Sequence, residues 1–352
     1  MNGMPNFLIE DFGIDDVCRC EYDLAIFASG YESRCTQSVQ VLPPGIFKKC
    51  FIIGFKKAVL PELREKHDQV FAQRTGQQPT LESQELPVVL AKHLTEAVSN
   101  AAIEGRSARV LVDYSSMRRE WYGFVLAFLG QLAASGKGVT IDFLYSFGVY
   151  PPGYEESIEN AVLESIVPLA GMEGLSASRA SSIAIFGLGF SPVAGLGALE
   201  RLQPDKVLSF FASPGSSDEY MAIAKRCNES LIKRSSGEPL ELSMESLSAA
   251  YRGLCELAWP FVDRFHVNIL PMGPKPHVLA SMLVANTYKP VGCLYGKVQH
   301  PSGVDIVGNR RYCIGAVHMN RPDPLQCGSG TGPALHSPSR SARMKDRDGS
   351  AK

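Results

Sequence analysis

Short apolar runs alternate with longer stretches of helical spacing along most of the chain. "DLAIFAS" (23–29) reads as a buried strand closed by Gly30, and "YESRCTQSVQVL" follows it as a helix. "CFIIGF" (50–55) is a second apolar run, and residues 58–74 are charged with helical spacing. A helix is predicted over 86–102, a strand over "RVLVDY" (109–114), a helix over "MRREWYGFVLAFLGQLAAS" and a strand over "VTIDFLYSF" (139–147). Strands alternating with helices predict a parallel sheet with helices on its faces. Apolar strands without polar alternation fit a sheet covered on both sides.

The pattern then restarts. "IAIFGLGF" (183–190) resembles "LAIFASGY" (24–31), and "VLSFFASPG" (207–215) follows it as "FIIGFKKAV" follows the first strand. Residues 243–259 take the place of the helix over 86–102, "HVNILPMGPKPHVLASMLVAN" that of "RVLVDYSSMRREWYGFVLAFLG", and "PVGCLYGKV" that of the strand around "DFLYSF". Landmarks recurring in one order at nearly one spacing indicate an internal duplication of a whole domain. The fold class expected is therefore α/β, with two tandem Rossmann-like units of parallel sheets flanked by helices. The first unit covers 1–150, a connector 151–182, and the second unit 183–319. "GVDIVGNRRYCIGAV" is read as a terminal hairpin turning at Gly308 and Asn309. Residues 320–352 are rich in Gly, Pro, Ser and basic side chains, which predicts a disordered tail.

Composition narrows the function classes. Hydrophobic residues make up 45% and charged residues 20% of 352, enough for a sizeable core, and the formal net charge of −1 gives no support to bulk nucleic-acid binding. No apolar window is long enough for a membrane span, and the acidic N-terminus lacks the apolar region of a signal peptide. Nine cysteines without a CxxC pair predict reduced thiols, mostly in the core, of a cytoplasmic protein. Cys18 and Cys20 form a lone CxC. His67, His93, His266, His277, His300 and His318 show no metal-ligand spacing, and no metal or cofactor is expected. Trp121, Phe124, Phe128 and Leu129 share helical spacing and are assigned to the core.

In open parallel sheets, ligands bind beyond the carboxyl ends of the strands, near the point where strand order reverses. That rule selects four loops: 29–34, 113–119, 187–192 and 271–277. If the halves pack as a pseudo-dimer, all four border one cleft. In "DYSSMRR", Ser115 or Ser116 can cap the next helix, whose free N–H groups favour an anion, and Arg118 and Arg119 supply positive charge. The same residues also read as a capped helix whose arginines only cover apolar surface. The matching loop supplies Gly273, Lys275 and His277, with Arg118 and Lys275 at the same relative place. Past the first strand, Gly30 permits a turn, Tyr31 can stack on a base, and Glu32 and Arg34 add charge. Gly187 and Gly189 give a G-x-G that does not complete a dinucleotide fingerprint, so a NAD-binding Rossmann domain is disfavoured. Asp113 and Glu32 are the candidate acid/base groups of any catalysis.

At "NILPMGPKPHVLASMLVAN" the chain resembles the CRISPR-associated Rossmann-fold (CARF) sensor domains, whose fourth-strand loop often reads Thr-Gly-Gly-Thr-Lys-Pro-Met. Gly273, Lys275 and Pro276 match that loop, while Met272 and Pro274 stand at its threonine positions. "LVDYSSMRREWYGFVLAFL" looks like a degenerate copy with Arg118 at the lysine position. Two such units in one chain are also the plan of the SAVED domain. The resemblance implies a binding module for a phosphate-bearing ligand, a nucleotide or cyclic oligonucleotide signal in bacterial antiviral defence, acting with a separate effector protein. The alternatives are a nucleotide hydrolase using the same cleft, breaking a phosphodiester or N-glycosidic bond, and a scaffold subunit of a defence complex.

Overall fold

Each apolar run of the sequence becomes a strand. The computed structural model describes residues 7–57, 60–175, 181–215, 217–298 and 303–319, all within one unit. The first half carries β1 (Phe7–Asp11), α1 (Ile14–Val17), β2 (Leu24–Ser29), α2 (Gln37–Val41), β3 (Cys50–Gly54) and α3 (Pro61–Thr75). It continues with β4 (Thr80–Leu81), α4 (Leu86–Ile103), β5 (Ala108–Asp113), α5 (Arg119–Ala134) and β6 (Val139–Val149). Then come α6 (Tyr154–Glu159), β7 (Leu163–Pro168), β8 (Ser182–Gly187), α7 (Pro192–Leu202), β9 (Lys206–Ala212), α8 (Asp218–Cys227) and α9 (Glu229–Arg234). The rest is β10 (Leu240–Leu242), α10 (Leu247–Ala258), β11 (His266–Pro271), α11 (Lys275–Thr287), β12 (Val291–Val298) and β13 (Val307–Met319). The disordered tail expected from residue 320 lies outside the described residues.

Two mostly parallel sheets flanked by helices result. One runs β4-β3-β2-β5-β6-β13-β1, the other β10-β9-β8-β11-β12-β7. The first five strands of each follow the same order, and all are parallel. Strand order reverses between β2 and β5 and again between β8 and β11, which sets the two crevices at which open α/β sheets hold ligands. Each sheet is then extended by an antiparallel strand, β13 on β6 and β7 on β12.

Those added strands depart from the expected boundaries. The connector assigned to 151–182 contributes α6 and β7, and β7 belongs to the second sheet. The terminal segment is not a hairpin. Both sides of Gly308 and Asn309 pair with β6, with a register shift between Gly308 and Tyr312, so the supposed turn is a bulge within one strand. That strand belongs to the first sheet, between β6 and β1, although its residues were assigned to the second unit. The helix expected after β2 splits into a 3₁₀ turn (Ser33–Thr36) and α2. Asp305 accepts bonds from the Ser33 backbone (2.6 Å) and hydroxyl (2.7 Å), which hold that turn.

One apolar core runs through both halves, with Val112, Leu126 and Leu129 from the first and Ile185, Val278 and Met282 from the second. Each such side chain contributes roughly 1.5–3 kcal/mol by leaving water. Helices α5 and α11 meet where a Cβ on Gly123 would lie 3.4 Å from the Met282 methyl group. Trp121 and Leu129 are buried as expected, whereas Phe124 and Phe128 are half-buried and stack on each other at 5.6 Å. Of the eight described cysteines, Cys35, Cys293 and Cys313 are buried and the other five are half-buried, so the thiols are not mostly in the core. Among the described residues, no helix is long and apolar enough to cross a membrane.

A shared core predicts one cooperative unfolding unit. The two tryptophans, Trp121 and Trp259, report on opposite halves. In W121F and W259F, tryptophan fluorescence and far-UV circular dichroism are expected to give coincident urea transitions. Separated midpoints would show halves that unfold independently.

Candidate functional site

The carboxyl ends of β2, β5, β8 and β11 open onto one cavity of about 370 Å³. All four predicted loops reach it: Tyr31, Glu32 and Arg34 after β2, Arg118 and Arg119 after β5, Gly189 and Phe190 after β8, and Gly273 and Lys275 after β11. The space lies within the roughly 300–1,000 Å³ typical of small-molecule sites.

The polar residues after β5 have divided roles. Asp113 is 2% exposed and does not line the cavity. Its carboxylate accepts from the Ser38 hydroxyl and from the Ser115 N–H at 2.9 Å. Burial raises its pKa, while the bonds from Ser115 and Ser38 act the other way. Asp113 is thus a structural group beneath the site, which removes it as the acid/base of a hydrolase. Ser115 is fully buried, and its hydroxyl accepts the Ser146 N–H at 2.7 Å. Neither Ser115 nor Ser116 caps α5, because the loop runs on to Arg118, which takes the N-cap position without a side-chain cap bond. The Ser116 hydroxyl instead approaches Glu32 at 3.4 Å.

The basic residues separate by partner. Arg34, 5% exposed, donates through Nε to Glu32 (2.8 Å) and through Nη1 to the Tyr145 hydroxyl (2.8 Å), and its Nη2 also lies 2.8 Å from Glu32. Arg118 is half exposed, pairs with Glu82 at 3.0 Å, and lies over the Phe55 and Trp121 rings. It faces both the cavity and a groove beside α4. Arg119 and Lys275 differ from these. Each is the first residue of its helix, and each reaches across to the other half. Arg119 donates to the Pro271 carbonyl at the end of β11 (3.1 Å) and lies over the Tyr295 ring. Lys275 donates to the carbonyls of Ser115 (2.6 Å) and Tyr114 (3.3 Å). Arg119, not Arg118, is therefore the counterpart of Lys275. Five residues separate β5 from α5 and three separate β11 from α11, which displaces the sequence match by one position.

Glu32 is the one carboxylate among the described lining residues, and it is already paired with Arg34. Arg119 and Lys275 thus face the cavity with helix N-termini behind them, an arrangement that favours an anion. Burial and the neighbouring Arg34 guanidinium draw the Lys275 ammonium down to about 7; Arg119 adds to this, and Glu32 opposes it.

Three predicted residues serve the backbone. A Cβ on Gly187 would lie 2.6 Å from the Phe210 ring and 3.0 Å from the Pro271 Cα, and Gly187 does not line the cavity. Gly189 and Gly273 do line it. They let the β8 and β11 loops pass one another, since a Cβ on Gly189 would collide with the Met272 carbonyl and one on Gly273 with that of Leu188. Gly30 is buried beneath the site; its carbonyl meets His67 Nδ1 at 2.8 Å. His277 is removed from the ligand-contact set, because it lies in the core, 1% exposed and against Phe210. Burial pushes its imidazole down to about 4.

The sequence reading missed most of the aromatic wall. Tyr150 stacks on Tyr154 at 4.6 Å and meets Phe190 and Tyr220 edge-on. The Tyr220 hydroxyl accepts the Tyr150 N–H (3.1 Å) and donates to its carbonyl (3.3 Å). Tyr145, Tyr295, Met221, Met244 and Ile306 also line the cavity. The spacing of "YPPGY" was a usable signal, since two tyrosines flank a Pro-Pro-Gly turn just past a strand end.

No family model and no curated protein matches the chain. Among solved structures it is similar to an N-terminal ketoreductase from a macrolactin assembly line, at 8% identity and a TM-score of 0.21, over 82% of this chain and 72% of that one. That likeness is too slight to inform either fold or function.

Removing Arg34 leaves Glu32 and Tyr145 without their buried partner. Arg34→Ala is expected to lower stability by about 3 kcal/mol, read from the shift in urea midpoint. A loss below about 1 kcal/mol would show that the pair behaves as a surface ion pair.

Proposed function

We propose that the chain is a binding module for a phosphate-bearing, nucleotide-type ligand held in the cavity between its two halves. One observation carries this reading: Arg119 and Lys275 open two adjoining helices at one cavity, and neither is within ion-pair distance of a carboxylate among the described residues. A guanidinium has five donors and an ammonium three, so both retain hydrogen-bonding capacity beyond their carbonyl partners. Tyrosine and phenylalanine walls suit a base, since aromatic faces stack on nucleobases. The CARF and SAVED resemblance supports the same class and adds a signalling role in antiviral defence through a separate effector. The hydrolase alternative has lost Asp113 to the core, and no observation favours the scaffold alternative.

The test is isothermal titration of the full chain with mononucleotides and cyclic nucleotides. Arg119→Ala is expected to weaken the best ligand about 10- to 100-fold, as loss of a charge-assisted bond does, and Arg118→Ala much less. An Arg119→Ala protein that binds every ligand as tightly as the parent would remove the reading.

A pH dependence follows. Anionic phosphate favours charged Lys275 and raises its pKa in the complex above the free value of about 7. Binding then takes up a proton above pH 7, so affinity should fall as pH rises from 7 to 9, by at most about tenfold per unit. Lys275→Met is expected to weaken binding and flatten that slope. A parent affinity independent of pH over this range would show that Lys275 does not titrate on binding.

A further inference from the structure

The two halves share one strand order but present different chemistry to the cavity. The β2 loop brings the Glu32–Arg34 pair, whereas the equivalent β8 loop brings Leu188, Gly189 and Phe190, with no charged side chain. The second half adds Met244 after β10 and Met221 from α8, while the described residues of the loops after β3 and β4 do not line the cavity. The two unpaired cations are not spread to opposite ends. Each donates across to the other half's strand end, Arg119 to Pro271 and Lys275 to Ser115, so they share the central boundary. At that boundary the Arg119 guanidinium also depresses the Lys275 ammonium.

A ligand with two equivalent phosphates and two equivalent bases would need each polar contact twice. The cavity offers one anion centre at the boundary, one carboxylate from the first half and one apolar surface from the second. Arg34 Nε and Nη2 and the Ser116 hydroxyl all approach Glu32 Oε2, and no hydrogen bond among the described residues engages Oε1, which can accept from a ligand hydroxyl. A carboxylate is the group that recognises a ribose diol in dinucleotide sites. From the second half, Phe190, Met221 and Met244 offer a ring face and polarizable thioethers to a flat heterocycle. The volume of about 370 Å³ is near the lower bound for small-molecule sites.

We propose that the cavity takes a single nucleotide in one direction, its phosphate at Arg119 and Lys275, its ribose at Glu32 and its base against Phe190, Met221 and Met244, rather than a two-fold symmetric ligand. This rests on the phosphate-binding reading above and narrows it.

The experiment titrates the full chain with adenosine and guanosine 5′-mono- and diphosphates, with cyclic dinucleotides of the same bases, and with pyrophosphate. One of the mononucleotides is expected to bind at least about tenfold tighter than its cyclic dinucleotide and than pyrophosphate, with stacking supplying the difference from pyrophosphate. Phe190→Ala should cost the mononucleotide about tenfold and leave pyrophosphate unchanged. Met221→Ala, with circular dichroism matching the parent, repeats the comparison should Phe190→Ala not fold. A cyclic dinucleotide that binds as tightly as the mononucleotide, or variants that weaken pyrophosphate equally, overturns the one-nucleotide assignment and leaves the phosphate site standing. Failure of nucleotides and pyrophosphate alike, at millimolar concentration, overturns both.

Discussion

The exchange of hydrogen bonds between the halves fixes the site. Arg119, at the start of α5, bonds to the end of β11, and Lys275, at the start of α11, bonds to the loop after β5. Each helix N-terminus is thereby registered against the strand end of the other repeat. A carbonyl is a neutral acceptor, so both cations are held in place without being neutralised. A carboxylate at either position would have fixed the geometry and cancelled the charge. The packing of α5 on α11 behind them excludes water from the seam and keeps the two helix starts side by side.

The repeated strand order supplies the frame and the differing loops supply the chemistry. The repeated strand order places two crevices at equivalent points, and the shared core turns them toward one cavity. Within that frame the β2 loop carries a buried ion pair, while the β8 loop is apolar and aromatic. Neither repeat is closed by its own strands alone. β7 from the link completes the second sheet, and β13, later in the chain than every other described strand, enters the first. The same terminal segment holds the cavity wall: Asp305 binds Ser33, and the Ile306 carbonyl accepts the Arg34 N–H at 3.0 Å.

Local signals carried the strands, the long helices and the four site loops. Runs such as "LAIFAS" and "SIAIFG" are apolar because both faces of the sheet are covered, and the site rule depends only on where such strands end. What failed depends on partners distant in sequence. Nothing near Val307–Met319 announces that its partner is β6, so the segment read as a hairpin. The pairing of Arg119 with Lys275 was hidden because loop length, not residue type, decides where a helix begins. Asp113 and His277 looked chemical because they are polar at strand ends; their burial follows from Ser38, Ser115 and Phe210, which only the fold brings near. The aromatic wall fell in stretches dominated by turn residues, where hydrophobic periodicity is silent.

The place of β13 also bears on synthesis. β1 precedes every other described strand, yet its hydrogen-bonding partner is β13, so it has no sheet to join until β13 has been made. Until then the long strand β6 presents an open edge. The second repeat is complete as far as β12 before the first can close, so the earlier repeat is the later to finish. A nascent chain must therefore carry an unsatisfied β6 edge from the completion of β6 at Val149 until β13 is made, and edges of that kind invite pairing with other chains. The order of the strands along the sequence, more than their stability once paired, sets how long that exposure lasts.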